Sequence, residues 1–167
     1  MERKAFMNNM ILTELEDVVG TENVSTAPSD RATYGVDYFW ISRMWEDRGQ
    51  TPPMPDYIVR PGCTEEVSKI LKIANYYKIP VNIWGGGSGS QGGALPMAGG
   101  VMMDMKRMNR LIEIDEVSRT ITAEAGMIFQ QLEWYANEKG YSCQHIPSCL
   151  TCGTIGGALG HRGIGIM

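Results

Sequence analysis

Apolar residues recur at Ile11, Leu12, Leu15, Val18 and Val19, the spacing of one helical face. The pattern predicts a helix over residues 4–19, stopped by Gly20. From residue 21 to 55 no period is sustained. TAPSD, YGVDYFW and GQTPPMP predict an irregular run wrapped over another surface. Its aromatics, Tyr34, Tyr38, Phe39, Trp40 and Trp45, read as packing anchors rather than a binding platform.

The pattern then sharpens. DYIVRP predicts a short strand closed by Pro61. Thr64 suits a helix N-cap, and Glu65 and Glu66 suit the positive end of a helix dipole. Val67, Ile70, Leu71, Ala74 and Tyr77 form an apolar stripe that ends before Pro80. VNIW predicts a second strand, so the unit reads strand–helix–strand, the form that builds parallel pairing. GGVMMDM predicts a third strand, LIEID and RTITAEAG a hairpin. Residues 127–139 predict a helix using Ile128, Leu132 and Tyr135, with Gly140 as its stop. Beyond Tyr141 the chain is glycine-rich and aperiodic.

One stretch resists this description. NIWGGGSGSQGG leaves the end of the second strand, the place where ligands of open α/β sheets gather. GSGSQG matches G-x-G-x-x-G formally, but that fingerprint needs a helix opening on the third glycine. Here Pro96, Gly99 and Gly100 would break any such helix, so a Rossmann phosphate site is not expected. The absence of Gly-Lys-Ser/Thr excludes a Walker A loop. What remains is a run of unhindered backbone N–H groups with the hydroxyls of Ser88 and Ser90, the composition of an anion-binding nest. The alternative is a mobile surface linker, against which stand the two apolar strands framing the loop.

Composition narrows the partners. The 167 residues suffice for one domain with a real core, 43% hydrophobic and 20% charged. A net charge of -4 without a basic stretch argues against nucleic acid. No apolar run approaches the ~20 residues that span a bilayer. The first residues lack the uninterrupted apolar stretch of a signal peptide, so cytoplasm is the expected location.

Residues 56–115, followed by RTITAEAG and PSCLTCGTIGG, resemble the FAD-binding domain of the vanillyl-alcohol oxidase and p-cresol methylhydroxylase (PCMH) family. The branch of glycolate and D-lactate dehydrogenase subunits and alkyl-dihydroxyacetonephosphate synthase resembles it most. The resemblance implies an α+β fold, the N-terminal part of a PCMH-type domain, with a small parallel or mixed sheet flanked by helices. It implies an N-terminal helix and wrapping segment over 1–55, a first FAD-binding subdomain over 56–140, and the start of a second over 141–167. It assigns Gly85, Gly86, Gly87, Ser88, Gly89, Ser90, Gln91 and Gly92 to the FAD pyrophosphate. Pro147 and Ser148 would lie along the flavin, and Thr154, Ile155, Gly156 and Gly157 would add backbone contacts. No histidine lies between Trp84 and Pro96, so a histidyl–flavin bond from this loop is excluded and dissociable FAD is expected. Relatives continue through further cofactor contacts and a substrate cap. The expectation is therefore part of a flavin-dependent oxidoreductase, oxidising a hydroxy acid or alcohol by hydride transfer and with little activity alone. A second polypeptide, or further sequence, would complete the site. A non-catalytic assembly subunit or truncated remnant is the alternative, and a redox-neutral synthase the alternative chemistry.

Other residues add less. His145, beside the expected flavin contacts, could position substrate or tune the flavin, or be a loop histidine bonded to backbone. His161 and Arg162 could meet a phosphate or the remaining half of the flavin site. Cys149 and Cys152 form C-x-x-C with Cys143 upstream, but a zinc or iron–sulfur site needs a further ligand, so no metal is expected and small buried thiols are. Met102, Met103 and Met105 read as core filling. Asp104, Glu113 and Asp115 are too scattered for a carboxylate pair, and no nucleophile–base pair stands out.

Overall fold

A computed structural model describes residues 2–163 and 165–166. The chain packs as two compact units. One takes the chain up to Trp84 together with Gly89–Asp104; the other takes Gly85–Ser88 and everything from Met105 onward.

The first unit begins with α1 (Glu2–Val19). Its buried face is Ile11, Leu15 and Val19, four residues apart. The run expected to be irregular contains β1 (Val24–Ser25), α2 (Pro28–Thr33) and α3 (Trp40–Asp47). β2 (Tyr57–Val59), α4 (Thr64–Tyr77), β3 (Val81–Trp84) and β4 (Val101–Asp104) follow. Cys63, not Thr64, holds the N-cap position of α4, and its side chain makes no capping bond. Glu66 in the first turn instead ties down the preceding chain, its Oε2 accepting the Gly62 N–H at 2.7 Å. Ile70 and Ala74 are buried, whereas Leu71 from the expected stripe is exposed.

The sheet runs β1-β2-β4-β3. β2 and β3 are parallel as expected, but each pairs with β4, which stands between them. Two central strands buried on both faces explain the uninterrupted apolar runs YIV and VMM. Ile58 and Met102, opposite each other in register, form one cluster with Tyr34 and Trp84. The Tyr34 and Trp84 rings meet edge to face at 5.1 Å. The Tyr34 hydroxyl donates to Asp104 Oδ2 at 2.6 Å. Burial, with that carboxylate beside it, pushes the phenol up to about 12. On α1 the Asn8 carbonyl accepts the Tyr57 hydroxyl, and α1 joins α4 through Tyr77 donating to Glu14 at 2.6 Å. Of the expected aromatic anchors, Tyr34 is buried, while Tyr38 and Trp40 are exposed.

The second unit contains the expected hairpin, β5 (Leu111–Asp115) and β6 (Thr120–Ala123), with a register shift between Leu111 and Glu113. α5 (Phe129–Glu138) buries Phe129, Leu132 and Ala136. Ile128 is its N-cap residue rather than a buried contact, and Tyr135 is exposed. The tail beyond Tyr141 is structured, with β7 (Ile146–Pro147), α6 (Ile155–Gly160) and β8 (Gly165–Ile166). Among the described residues no helix is long and apolar enough to cross a membrane.

Candidate functional site

The glycine loop divides between the two units. Gly85–Ser88 belongs with the tail. A Cβ on Gly85 would overlap Thr154 Oγ1, and one on Gly86 would overlap the Cys152 carbonyl oxygen. Residue 86 therefore admits no side chain while that approach holds. Gly87 has φ 63°, in the left-handed region.

Thr154 is almost fully buried, and its Oγ1 caps α6 by accepting the Gly157 N–H at 3.4 Å. The Ile155 N–H donates to the Met127 carbonyl at 2.9 Å, and the Gly156 N–H to the Ala125 carbonyl at 2.8 Å. The N–H groups of residues 155–157 are thus already engaged within the protein. The Ala125 side of this contact is anchored through Glu124. Its carboxylate accepts Arg110 Nη2 at 2.7 Å, Arg110 Nε at 3.1 Å and the Arg110 backbone N–H at 2.9 Å. These bonds from Arg110 hold Glu124 below the usual carboxylate range.

The later part of the loop lies in the first unit. A Cβ on Gly89 would meet nothing within 4 Å, and Ser90 and Gln91 are exposed. Gly92 abuts the Phe39 ring, 2.7 Å from where its Cβ would stand. Near Phe39 is a residue the sequence reading passed over, Asp37. It is buried; Oδ1 accepts the Phe39 N–H at 2.9 Å, and Oδ2 has no partner among the described residues. The only sequence signal was an acidic residue in an aromatic run. As for an anion, no backbone N–H of residues 86–88 donates to a protein acceptor among the described residues, while Ser90 and Gln91 form a turn in the first unit. Residues 86–88 thus keep adjacent N–H donors free of protein acceptors, a composition that fits a phosphate.

A family model described as "FAD binding domain" matches residues 55–167. The chain belongs to this FAD-binding family. FAD is the cofactor the family serves. The glycolate oxidase subunit GlcD of Bacillus subtilis is 31% identical over 153 residues, 92% of this chain and 31% of that protein. D-2-hydroxyglutarate dehydrogenase of Xanthomonas citri pv. viticola is 31% identical over 134 residues, 80% of this chain and 26% of its own length. Among solved structures, alkyldihydroxyacetonephosphate synthase superposes with a TM-score of 0.87 at 26% identity, covering 94% of this chain and 30% of that one. p-Cresol methylhydroxylase shares the fold, with a TM-score of 0.71 at 24% identity over 92% of this chain and 28% of that one. The chain spans about a third of the length of the first of these relatives.

Within the FAD-binding chain the other candidates fall as follows. Pro147 is buried and Ser148 exposed at the start of a turn. His145 is half-buried, its ring 5.5 Å from that of Phe129. His161 and Arg162 are exposed. Asp104 bonds Tyr34, Asp115 caps the hairpin turn by accepting from Val117 and Ser118, and Glu113 is exposed. The expectation of buried thiols fails at Cys152, which is exposed; Cys143 and Cys149 are half-buried. Among the described residues no three His, Cys, Asp or Glu side chains cluster as a metal site would need.

Proposed function

We propose that this chain is the FAD-binding portion of a flavin-dependent oxidoreductase that oxidises a hydroxy acid or alcohol. The observation carrying this reading is the unspent N–H donors of residues 86–88, in a chain of the FAD-binding family. Bound FAD would supply the acceptor for a hydride leaving the substrate carbon.

The chain's own residues bind and position. The N–H groups of residues 86–92, with the Ser88 and Ser90 hydroxyls and the Gln91 side chain, hold the pyrophosphate. Gly85 carries the first contact, Thr154 and Cys152 form a wall behind that part of the loop, and Ile155, Gly156 and Gly157 continue from Thr154 along the cofactor. With their N–H groups engaged, those residues offer the cofactor surface rather than donors. Pro147 and Ser148 flank the ring system, and His145, close by in the chain, is a candidate to position substrate or tune the flavin. With no histidine in the glycine loop, the cofactor is dissociable. Residues 56–140 and 141–167 act as parts of two flavin subdomains. The remaining cofactor contacts and the substrate cap come from further residues or a second polypeptide. The names of the hydroxy-acid relatives support the substrate class. A redox-neutral alkyl transfer has the TM-score of 0.87 to the synthase in its favour.

Equilibrium binding tests the reading. FAD should bind the purified chain, alone or with its co-purifying partner, ADP should compete, and riboflavin should not bind. No FAD binding in either form defeats the flavin reading. Riboflavin competing as well as ADP would remove the pyrophosphate from the glycine loop.

A further inference from the structure

Cys149 and Cys152 bracket a turn in which the Cys152 N–H donates to the Cys149 carbonyl at 3.0 Å and the Gly153 N–H to the same oxygen at 2.6 Å. Such a turn holds its first and fourth Cα atoms within about 7 Å, close to the ~4.4–6.8 Å range that a disulfide requires. The Cys149 sulfur folds over the far end of the turn: a Cβ on Gly153 would stand 2.6 Å from it. Both ends are pinned to α5, the Gln130 N–H donating to the Leu150 carbonyl and the Phe129 N–H to the Gly153 carbonyl, each at 3.0 Å. Cys152 is exposed to an attacking reagent and Cys149 is half-buried.

The other nearby thiol is disposed differently. Burial, reinforced by the Glu133 carboxylate, pushes Cys143 up to about 11. Its own N–H is held by Glu133 Oε2 at 2.9 Å. Cys143 is therefore a poor nucleophile at neutral pH.

We propose that Cys149 and Cys152 form a reversible disulfide, and that closing it tightens the seat of Gly85 and Gly86. The second clause follows from contact. The Cys152 carbonyl and the Thr154 side chain are the groups that would meet a Cβ on Gly86 and Gly85. The oxidant is a small disulfide such as glutathione disulfide. The Cys152 thiolate attacks it, forming a mixed disulfide and expelling one glutathione thiolate. The Cys149 thiolate then attacks the Cys152 sulfur and expels the second. The protein loses two electrons and two protons, and glutathione disulfide becomes two glutathiones. Neither the disulfide nor the tightening of Gly85 and Gly86 depends on the flavin reading.

The test equilibrates the full chain in glutathione buffers of graded ratio, counts thiols by maleimide–polymer gel shift and weighs the protein. Oxidation should remove two thiols and about 2 Da without dimerising the chain, and dithiothreitol should reverse it. Cys143→Ser should oxidise like the wild type. Cys149→Ser should instead retain one glutathione adduct on Cys152. Hydrogen exchange of a peptide covering residues 84–88 should slow several-fold in the oxidised wild type, but not in oxidant-treated Cys149→Ser. Unchanged thiol number at every ratio, or a bridge that includes Cys143, overturns the disulfide. Equal exchange in both redox forms overturns the coupling. A chain that oxidises this way yet binds no FAD supports this proposal while defeating the flavin reading.

Discussion

Gly86 and Gly89 stand three residues apart in one loop, in opposite surroundings. At Gly86 the protein itself fills the space a side chain would need, because the Cys152 carbonyl is there. At Gly89 no protein atom lies within 4 Å of that space. A run of glycines thus holds one position where the fold leaves no room for a side chain and one where it does. The two can be separated because they respond to different substitutions.

The largest effect is expected at Gly86→Ala. A backbone carbonyl cannot rotate away as a side chain can, so the loop or the 149–154 turn must move. Urea unfolding should show a loss of about 3 kcal/mol or more. A loss below about 0.5 kcal/mol would mean that the close approach is not part of the folded state.

Gly85→Ala should cost less, about 1–2 kcal/mol, because the methyl meets a side-chain atom. That atom, Thr154 Oγ1, is also the cap of α6, and displacing it costs the cap. A double-mutant cycle sharpens the point. In a Thr154→Gly background the Gly85→Ala penalty should largely disappear; strict additivity would place its cost elsewhere.

None of these contacts could be read from the sequence, and the reason is physical. Periodicity reports burial along one element, so α1, α4, β2, β3, β4 and the hairpin were legible from their own residues. β4 standing between β2 and β3 is a fact of pairing rather than of pattern. α2 and α3 went unseen because they are short, and neither has a side-chain N-cap bond. α3 also turns Trp40 outward, with Ser42 its buried residue, so its apolar pattern misleads. Three of the residues of α6 are glycines, which disfavour a helix; Thr154 and the carbonyls of Ala125 and Met127 satisfy its first N–H groups instead. The glycine loop was legible as a candidate site, but the division of labour between Gly86 and Gly89 was not. It depends on Cys152, far along the chain.

The wall of the first half should also respond to acid in a way the sheet does not. Glu124 is held below its ordinary value, so its stabilising contribution is full above the unfolded-state value and fades as pH falls through the folded one. The thermal midpoint should therefore decline below the normal glutamate range, and Glu124→Gln should remove that part of the decline. With Arg110 largely exposed, the ion pair itself is worth about 1 kcal/mol or less. Tyr34, on the sheet, has the opposite sign. Raised to about 12, its contribution is full below the ordinary tyrosine value of 10.0 and is lost as pH rises through 12. Tyr34→Phe should flatten the alkaline limb alone. Acid and alkaline limbs that both vanish in one variant would show that the two contributions are not independent.

The smallest effect on stability is expected at Gly89→Ala. Its φ lies outside the left-handed set and its Cβ would project into open space, so the folded chain should tolerate the methyl within about 0.5 kcal/mol. Cofactor binding should respond very differently. If N–H groups on both sides of residue 89 contact a pyrophosphate, a methyl there holds the phosphate oxygens off the backbone. FAD affinity should then fall about tenfold or more, equivalent to about 1.4 kcal/mol. Isothermal titration with FAD, beside urea unfolding of the same variant, measures both quantities. Lost affinity at unchanged stability would make Gly89 a glycine kept for the ligand. Unchanged affinity would leave Gly89 without a ligand-based reason to be glycine, and the pyrophosphate would have to lie against the Gly86–Gly87 end of the loop, where the fold already forbids a side chain.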